Sequence, residues 1–497
     1  MKILVIQLAR LGDIYLTWPT LRAIHRSNPE AELHVMVRER FAGAMEGLDL
    51  PIVLHTFNTR DILAPVVTNG KLEDSLTQVL DLTDQLAAQK FDEIINLTFS
   101  PVSSYLVDAI KDENSLVRGY CRQTDGFLAI PDDASAYFYA QVGTRNWNRY
   151  HLGEVFAAVA GRDLSFTDWA PAATSSPTSF KAHLPENYFV VHLTTSQDDK
   201  SFPDFKWRQV LSKLIKRQNL KFVVVGGPED QDLARRALAG LPEENVANLV
   251  GMTRIVDLFE VIQHSRGLIG CDSVGLHMAS LCGIPCFNLS FASVNFWETG
   301  PRALGSRILW AQDAALLDSE KVVQEFSLWI DGEAATSPVI DRISNDLIGY
   351  QPKGFKYSNF AWRMIEAIYT GGPFPATENT DNISGIQKLT ELSILALEQL
   401  DRISVQPKDQ VSHQILAHID QILNQLAHMV PEIRPLIAWF DTERLRMGPG
   451  EFQDVYLKTR SLFHKLSEIA ALYANDKDAT ATLTAEGAAN DNFNLVE

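Results

Sequence analysis

Four residues carry the clearest chemical capacity in this chain: Thr194, Thr195, Ser196 and Lys200. The three hydroxyls can hydrogen-bond phosphate oxygens, and the lysine can neutralise them as a compact positive charge. The alternative is an exposed polar loop with a solvated lysine. On this segment alone the two readings weigh equally, and the elements that flank it frame the choice. The apolar run Tyr188-Phe-Val-Val-His192 predicts a buried strand before the loop. Trp207, Val210, Leu211 and Leu214 fall at helical spacing after it. A strand, a hydroxyl-rich loop and a helix start is the device with which α/β proteins hold a diphosphate.

Further junctions of the same kind follow. Lys221-Phe-Val-Val-Val225 leads into Gly226-Gly-Pro-Glu-Asp230, and Leu249-Val-Gly-Met-Thr253 leads into a helix. Gly267 to His277 reads as a short strand turning into a helix at Asp272, and Ile284 to Leu289 as one more strand. Such a succession describes half of a doubly wound parallel sheet, whose ligands bind at the carboxyl ends of the strands. The chain start repeats the pattern. Lys2 to Leu8 predicts a strand, Ala9-Arg-Leu-Gly-Asp13 a loop, Ile14 to Arg26 a helix interrupted at Pro19, and Glu32 to Val37 the next strand. Asp13 reads either as the helix N-cap or as a carboxylate facing a cleft at the strand end.

The ordered set of these motifs resembles the ADP-heptose heptosyltransferases, glycosyltransferase family 9. It comprises Lys2-Ile-Leu-Val-Ile with Leu11-Gly-Asp13, Thr17 to Pro19, Thr194-Thr195, Lys200, and Phe202-Pro203 with Trp207. Gly226-Gly-Pro228, Gly251-Met-Thr253, Asp272-Ser273 with His277, and Gly300-Pro301 complete it, over roughly residues 1 to 370. One departure stands out. The family usually has glycine after Asp-Thr/Ser, where this chain has Val274, with Gly275 following.

The resemblance implies a GT-B fold: two Rossmann-like parallel-sheet lobes, here followed by a C-terminal α-helical bundle. It implies an inverting, metal-independent transfer of heptose or a related sugar from an ADP-sugar, by resemblance ADP-L-glycero-D-manno-heptose, to a glycan or protein acceptor. Asp13 would be the base, and Lys200 with Thr194, Thr195 and the helix start at Ser273 would stabilise the departing ADP. Asp230 would touch the ribose, the Met252 backbone the adenine, and Asp272 the sugar hydroxyls, with Val274 and Gly275 on the donor side. His277 reads equally as structural or functional. Arg60, Arg118 and Arg122 are the acceptor-binding candidates. No cofactor is expected beyond the ADP-sugar co-substrate, and no metal: Asp198-Asp199 beside Lys200 reads as a loop-positioning pair. Two other readings are a nucleotide-sugar epimerase of the same fold, and a non-catalytic scaffold with a degenerate donor site.

Composition narrows the partners. The 497 residues are 46% hydrophobic and 21% charged, as in ordinary globular proteins. The net charge of −18 and pI near 5.1 oppose nucleic-acid binding and simple adhesion to an anionic membrane, leaving at most peripheral membrane contact. Acidic residues exceed basic ones between Phe41 and Val117, which argues against a strongly anionic acceptor. No apolar run reaches membrane-span length, and Gln7, Arg10 and Asp13 interrupt a signal-like start, so a cytoplasmic location is expected. Cys121, Cys271, Cys282 and Cys286 form no Cys-x-x-Cys pair and read as buried free thiols. They do not resemble the four-cysteine metal finger of some protein-directed heptosyltransferases.

The expected domains are an acceptor lobe over 1–180, a donor lobe with return helix over 181–375, a helical bundle over 383–474 and a disordered tail over 475–497. Ala170 to Ser179 and Thr370 to Asn382 read as linkers. In the bundle Ile386, Leu389, Leu392, Leu395 and Leu400, then Ile415, Ile419, Ile422, Leu426 and Met429, then Phe452, Tyr456, Phe463, Leu466 and Ile469 form stripes, read as core packing. Pro407, Pro431, Pro435 and Gly448-Pro-Gly450 separate them. The bundle is a candidate homodimer or acceptor-docking surface, and a chain ending near Asn379 is expected to fold and bind ADP.

Overall fold

The computed structural model describes residues 1–68, 71–123, 125–143, 147–173, 184–336, 339–345, 348–353 and 359–473. The expected tail and most of the linker before Ser179 lie outside them. Two compact units result. One comprises Met1–Thr98, Ala109–Val117 and Arg149–Tyr357; the other comprises Phe99–Asp108, Arg118–Asn148 and Ser358–Glu497.

The first sheet contains β1 (Lys2–Gln7), β2 (Glu32–Arg38), β3 (Ile52–Phe57), β4 (Glu93–Asn96) and β5 (Leu116–Gly119), in the order β3-β2-β1-β4-β5. β1 runs parallel to β2 and β4. Its continuous apolar run is what a strand buried on both faces requires. The short hairpin β6 (Cys121–Arg122) and β7 (Leu128–Ala129) is separate. The second sheet contains β8 (Tyr188–His192), β9 (Lys221–Val225), β10 (Val246–Asn248), β11 (Leu268–Cys271), β12 (Cys286–Phe291) and β13 (Arg307–Ala311). β14 (Val339–Arg342) and β15 (Tyr350–Lys353) join at one edge, giving the order β10-β9-β8-β11-β12-β13-β14-β15. Pairing is parallel from β10 through β13 and antiparallel beyond.

In each sheet the strand order reverses once, between β1 and β4 and between β8 and β11. The crevice outside such a reversal is where open α/β sheets bind ligands. Leu8 to Asp13 leaves β1, Thr194 to Lys200 leaves β8, and Asp272 leaves β11. The chemistry-bearing loops therefore sit at both reversals. The β8 loop is held from behind by Phe202 and Trp207, packed edge to face at 5.2 Å within the second-sheet core. Trp207 opens the helix Asp204–Gln218, its N–H bonded to the Pro203 carbonyl at 3.0 Å.

Two local expectations change. The first helix runs unbroken over Leu11–Ser27 with Pro19 inside it. Proline removes one intrahelical hydrogen bond, and burial of Tyr15, Leu16, Trp18 and Leu21 keeps the helix continuous across that gap. Pro431 separates two helices as expected, opening the short 3-10 turn Pro431–Ile433 after Gln410–Met429, but Pro435 falls inside the first turn of a further helix, Arg434–Arg446, because proline is tolerated where N–H groups lack partners. That helix supplies Leu436, Ile437 and Phe440 to the core of the second unit.

The second unit crosses the expected domain boundaries. Its C-terminal helices are Thr380–Val405, Gln410–Met429, Arg434–Arg446 and Phe452–Ala471. Of the expected stripes, Ile386, Leu389, Leu392, Leu400, Ile419, Leu426, Phe463 and Leu466 are buried, while Leu395, Met429 and Phe452 are exposed. These helices fold together with residues expected in the acceptor lobe. The helix Asp133–Gln141 packs on Arg434–Arg446. The Gln141 amide donates to the Tyr369 hydroxyl at 3.2 Å and to the Pro435 carbonyl at 3.1 Å. Arg446 pairs with Asp133 at 2.6 Å. The reason is local: Tyr137, Ala140 and Gln141 are buried, so their helix needs a cover that the C-terminal helices provide.

This packing reverses the outcome expected for a chain ending near Asn379. Such a chain exposes the Tyr137–Gln141 face and is expected to be insoluble or to melt earlier than the full chain in a calorimetric scan. An unchanged melting temperature would show that the C-terminal helices are a separable addition.

Candidate active site

On the first-lobe side, the N-cap is Arg10 and not Asp13. Asp13 is the third helical residue, and its Oδ2 accepts the Arg10 backbone N–H at 2.9 Å. A carboxylate at this position satisfies one orphan N–H of the helix start and suits the positive end of the helix dipole. Behind it, the Gln7 amide donates to the Thr17 hydroxyl at 3.1 Å, and that hydroxyl donates to the Asp13 carbonyl at 2.8 Å. The Gln7 Oε1 accepts the Ala9 N–H at 3.2 Å and the Thr98 hydroxyl at 3.3 Å. The end of β1, the end of β4 and the helix start are thus tied into one unit, which fixes where Asp13 can stand.

On the second-lobe side, Lys200 Nζ lies 2.7 Å from Asp272 Oδ2 in a largely buried ion pair. Asp272 Oδ1 is buried with no hydrogen-bond partner. Ser273, not Asp272, caps the next helix, Val274–Leu281, and its hydroxyl meets His192 Nδ1 at 2.8 Å. A Cβ on Gly275 would lie 3.4 Å from the His192 side chain, so Gly275 is the small residue against the sheet. Val274 sits partly exposed in the first turn. The residue shift relative to the family pattern therefore moves the glycine to the inward position.

The loop hydroxyls are already engaged. Thr194 donates to Asp230 Oδ2 at 3.1 Å, and the same oxygen accepts the Gly227 N–H at 2.8 Å. The Thr195 hydroxyl bonds the Gln197 carbonyl at 2.6 Å and meets Ser201 at 2.8 Å. Asp198 and Asp199 are exposed. Met252 is 61% exposed beside the β9 loop, its N–H bonded to the Leu249 carbonyl at 3.0 Å. Gly251 has φ +74°, and a Cβ there would press on Pro228 and Gln231, so only glycine lets these two loops approach.

The two sides meet. Arg10 Nη1 donates to Ser196 Oγ and to Gln197 Oε1, both at 3.3 Å. A Cβ on Gly12 would stand 2.8 Å from the His277 ring. Trp18 stacks on Phe259 at 5.4 Å, and Tyr15 meets Phe259 edge to face at 5.5 Å. Within this cleft the Asp13 carboxyl is pushed above its ordinary value, chiefly by burial and further by Asp272, against the opposing pull of the Arg10 N–H and charge and of Lys200. Burial also lowers His277 to about 4, keeping its ring neutral near pH 7. His277 Nδ1 is buried without a partner.

The acceptor candidates are divided between the two units. Arg60 is exposed on the helix Thr59–Val67 in the first unit. Arg118 and Arg122 belong to the second unit. The Arg122 guanidinium donates to Ser104 Oγ at 3.0 Å and to the Gly126 carbonyl at 3.3 Å, and lies 4.1 Å over the Tyr105 ring. The four cysteines are free; Cys282 is only partly buried, the others are buried. No group of three or more metal-ligating side chains occurs among the described residues, and none of their helices is long and apolar enough to cross a membrane. Sequence reading passed over Arg10 and Gly12. The available signal was a cation and a glycine one to three residues before an aspartate at a strand end.

Two parallel-sheet lobes meeting at their carboxyl ends, with nucleotide-type loops on the second, define a GT-B fold. The model of the family described as glycosyltransferase family 9 (heptosyltransferase) matches residues 79–322. It is 23% identical over 313 residues to lipopolysaccharide heptosyltransferase 3 of Escherichia coli, covering 61% of this chain and 86% of that protein. It is 22% identical over 272 residues to lipopolysaccharide heptosyltransferase 1 of E. coli K12, covering 52% and 79%. The crystal structure of a glycosyltransferase family 9 protein from Veillonella parvula DSM 2008 superposes with a TM-score of 0.50 at 16% identity, covering 66% of this chain and 97% of that one.

Lys200→Ala leaves the Asp272 carboxylate buried and unpaired. It is expected to lower the unfolding free energy by roughly 3 kcal/mol, and adding Asp272→Asn to recover part of that loss. Urea titrations of both variants measure it; equal stability of Lys200→Ala and the parent would mean the pair is solvent-screened.

Proposed function

We propose that the chain moves a heptose, or a related sugar, from an ADP-sugar to a glycan or protein acceptor, inverting the anomeric carbon. The observation that carries this reading is the meeting of the two lobes beside Asp13: Arg10 reaches Ser196 and Gln197, Gly12 abuts His277, and Asp13 lies within electrostatic reach of the Lys200–Asp272 pair. An acceptor hydroxyl is a weak nucleophile and needs a base beside it. Asp13 takes the hydroxyl proton as the oxygen attacks the anomeric carbon, and the bond from that carbon to the β-phosphate oxygen breaks. Burial raises the proton affinity of Asp13, which suits a base that must accept a proton at neutral pH.

The negative charge that develops on ADP meets Lys200 and the N–H groups that open the helix Val274–Leu281. This pairing supports a transfer that needs no divalent cation. Asp272 Oδ1, buried and unpartnered, is suited to accept a sugar hydroxyl. Asp230 would serve the ribose. The Met252 N–H is already bonded, so adenine contact falls to its carbonyl. Thr194 and Thr195 reach phosphate only by exchanging their present partners. Arg60, Arg118 and Arg122 are the proposed acceptor contacts. An epimerase of this fold works with groups on the donor lobe alone, so the position of Asp13 supports transfer over epimerisation.

Asp13→Asn is expected to lower transfer by about 10²–10⁴-fold while ADP affinity stays within a few-fold, read by product formation and calorimetric titration with ADP. Loss of ADP binding instead would remove Asp13 from its role. EDTA is expected to leave transfer unchanged; collapse on chelation with rescue by Mg²⁺ or Mn²⁺ would overturn the metal-free reading.

The pH dependence has a definite sign. Transfer requires ionised Asp13, so the rate falls as pH drops through its pKa. That pKa lies above the ordinary carboxylate value of 3.8, so the acid limb of kcat is expected above pH 4. A limb at or below that value would mean Asp13 is not desolvated when it acts.

A further inference from the structure

Arg10 is exposed, precedes the helix that carries Asp13, and touches the opposite lobe. We propose that Arg10 is a positioning residue for the transfer: its guanidinium latches the Asp13 loop onto the diphosphate loop, so closing the cleft and placing the base are one event. This inference rests on the proposed transferase reading and adds to it a residue that acts through Asp13 and the donor loop.

Three observations carry it. The Arg10 side chain holds Ser196 and Gln197, neighbours of Thr195 and Lys200 in the loop proposed to grip the diphosphate. The Arg10 backbone N–H holds Asp13 Oδ2. One residue therefore binds the base through its main chain and the donor loop through its side chain. The intervening Gly12 brings the helix start against His277 so closely that a Cβ would collide with the ring. The latch thus spans a contact with little room for adjustment.

Charge gives the latch a second consequence. Asp13 faces Arg10 from its own helix start, and Lys200 and Asp272 from the donor lobe, with the neutral His277 ring beside Gly12. Asp272 opposes ionisation of Asp13, and the two cations favour it. Lys200 is committed to Asp272 and would be shared with the departing phosphate. Arg10 is then the cation whose effect on Asp13 persists when the cleft is filled.

The test compares Arg10→Ala, Arg10→Lys and Asp13→Asn in the full chain. Arg10→Ala is expected to lower kcat about 10- to 100-fold, the range that misplacement of a reacting group produces. It is also expected to move the acid limb of the kcat profile up by about one pH unit, because an opposite charge nearby favours the ionised carboxylate. Arg10→Lys retains the charge and should restore the acid limb while recovering kcat only in part. A purely structural role would lower stability without moving that limb.

A second readout does not depend on turnover. ADP is expected to slow hydrogen–deuterium exchange in peptides covering Ala9–Asp13 in the parent and not in Arg10→Ala. If Asp13→Asn is inactive while Arg10→Ala keeps both the parent kcat and its acid limb, the latch fails and the transferase reading stands. If the parent transfers no sugar, the transferase reading fails, and the exchange experiment still decides the latch: ADP protection retained in Arg10→Ala overturns it.

Discussion

A buried ion pair at the strand-order reversal of the second sheet is the constraint around which the site is built. Lys200 and Asp272 come from loops leaving β8 and β11, which lie side by side because the sheet order changes direction there. Taking both charges out of water is costly unless each is held in good geometry. Phe202 and Trp207 supply that geometry from the core side for Lys200, and the parallel pairing of β8 with β11 supplies it for Asp272. Asp272 keeps one buried oxygen without a partner, an incomplete arrangement that a polyhydroxylated ligand would complete.

The first lobe answers with a single carboxylate held by unusually many local contacts. Gln7, Thr17 and Thr98 lock the strand ends and the helix start together, and the Arg10 N–H fixes one oxygen of Asp13. The first lobe approaches the second closely beside this unit. Gly12 beside His277 and Trp18 on Phe259 define how close that approach is. Burial raises the pKa of Asp13, and Asp272 of the second lobe adds to that shift.

The C-terminal helices have a structural role that their sequence does not announce. They cover Tyr137 and Gln141 on a helix far upstream, in the same unit as Arg118 and Arg122. A change in these helices would thus be felt in the helix Asp133–Gln141 on which they pack.

Much of this was legible in the chain. Buried strands such as Lys2–Gln7 and Tyr188–His192 are short apolar runs between turn signals, and their parallel pairing follows from the helices between them. Thr194, Lys200, Asp230 and Asp272 could be singled out because each leaves the end of such a strand. Sequence patterning also predicted helices beyond Pro375, though not Arg434–Arg446 with Pro435 in its first turn, since proline breaks a helix inside and is tolerated at its start. Contacts across sequence distance were not legible. Nothing local says that Thr194 turns to Asp230, that Arg10 reaches Ser196, or that Gln141 is buried against Pro435. Propensity and periodicity report on neighbours a few residues apart. Which polar groups satisfy one another, and which lobe a helix covers, is decided only when segments separated by tens or hundreds of residues lose water together.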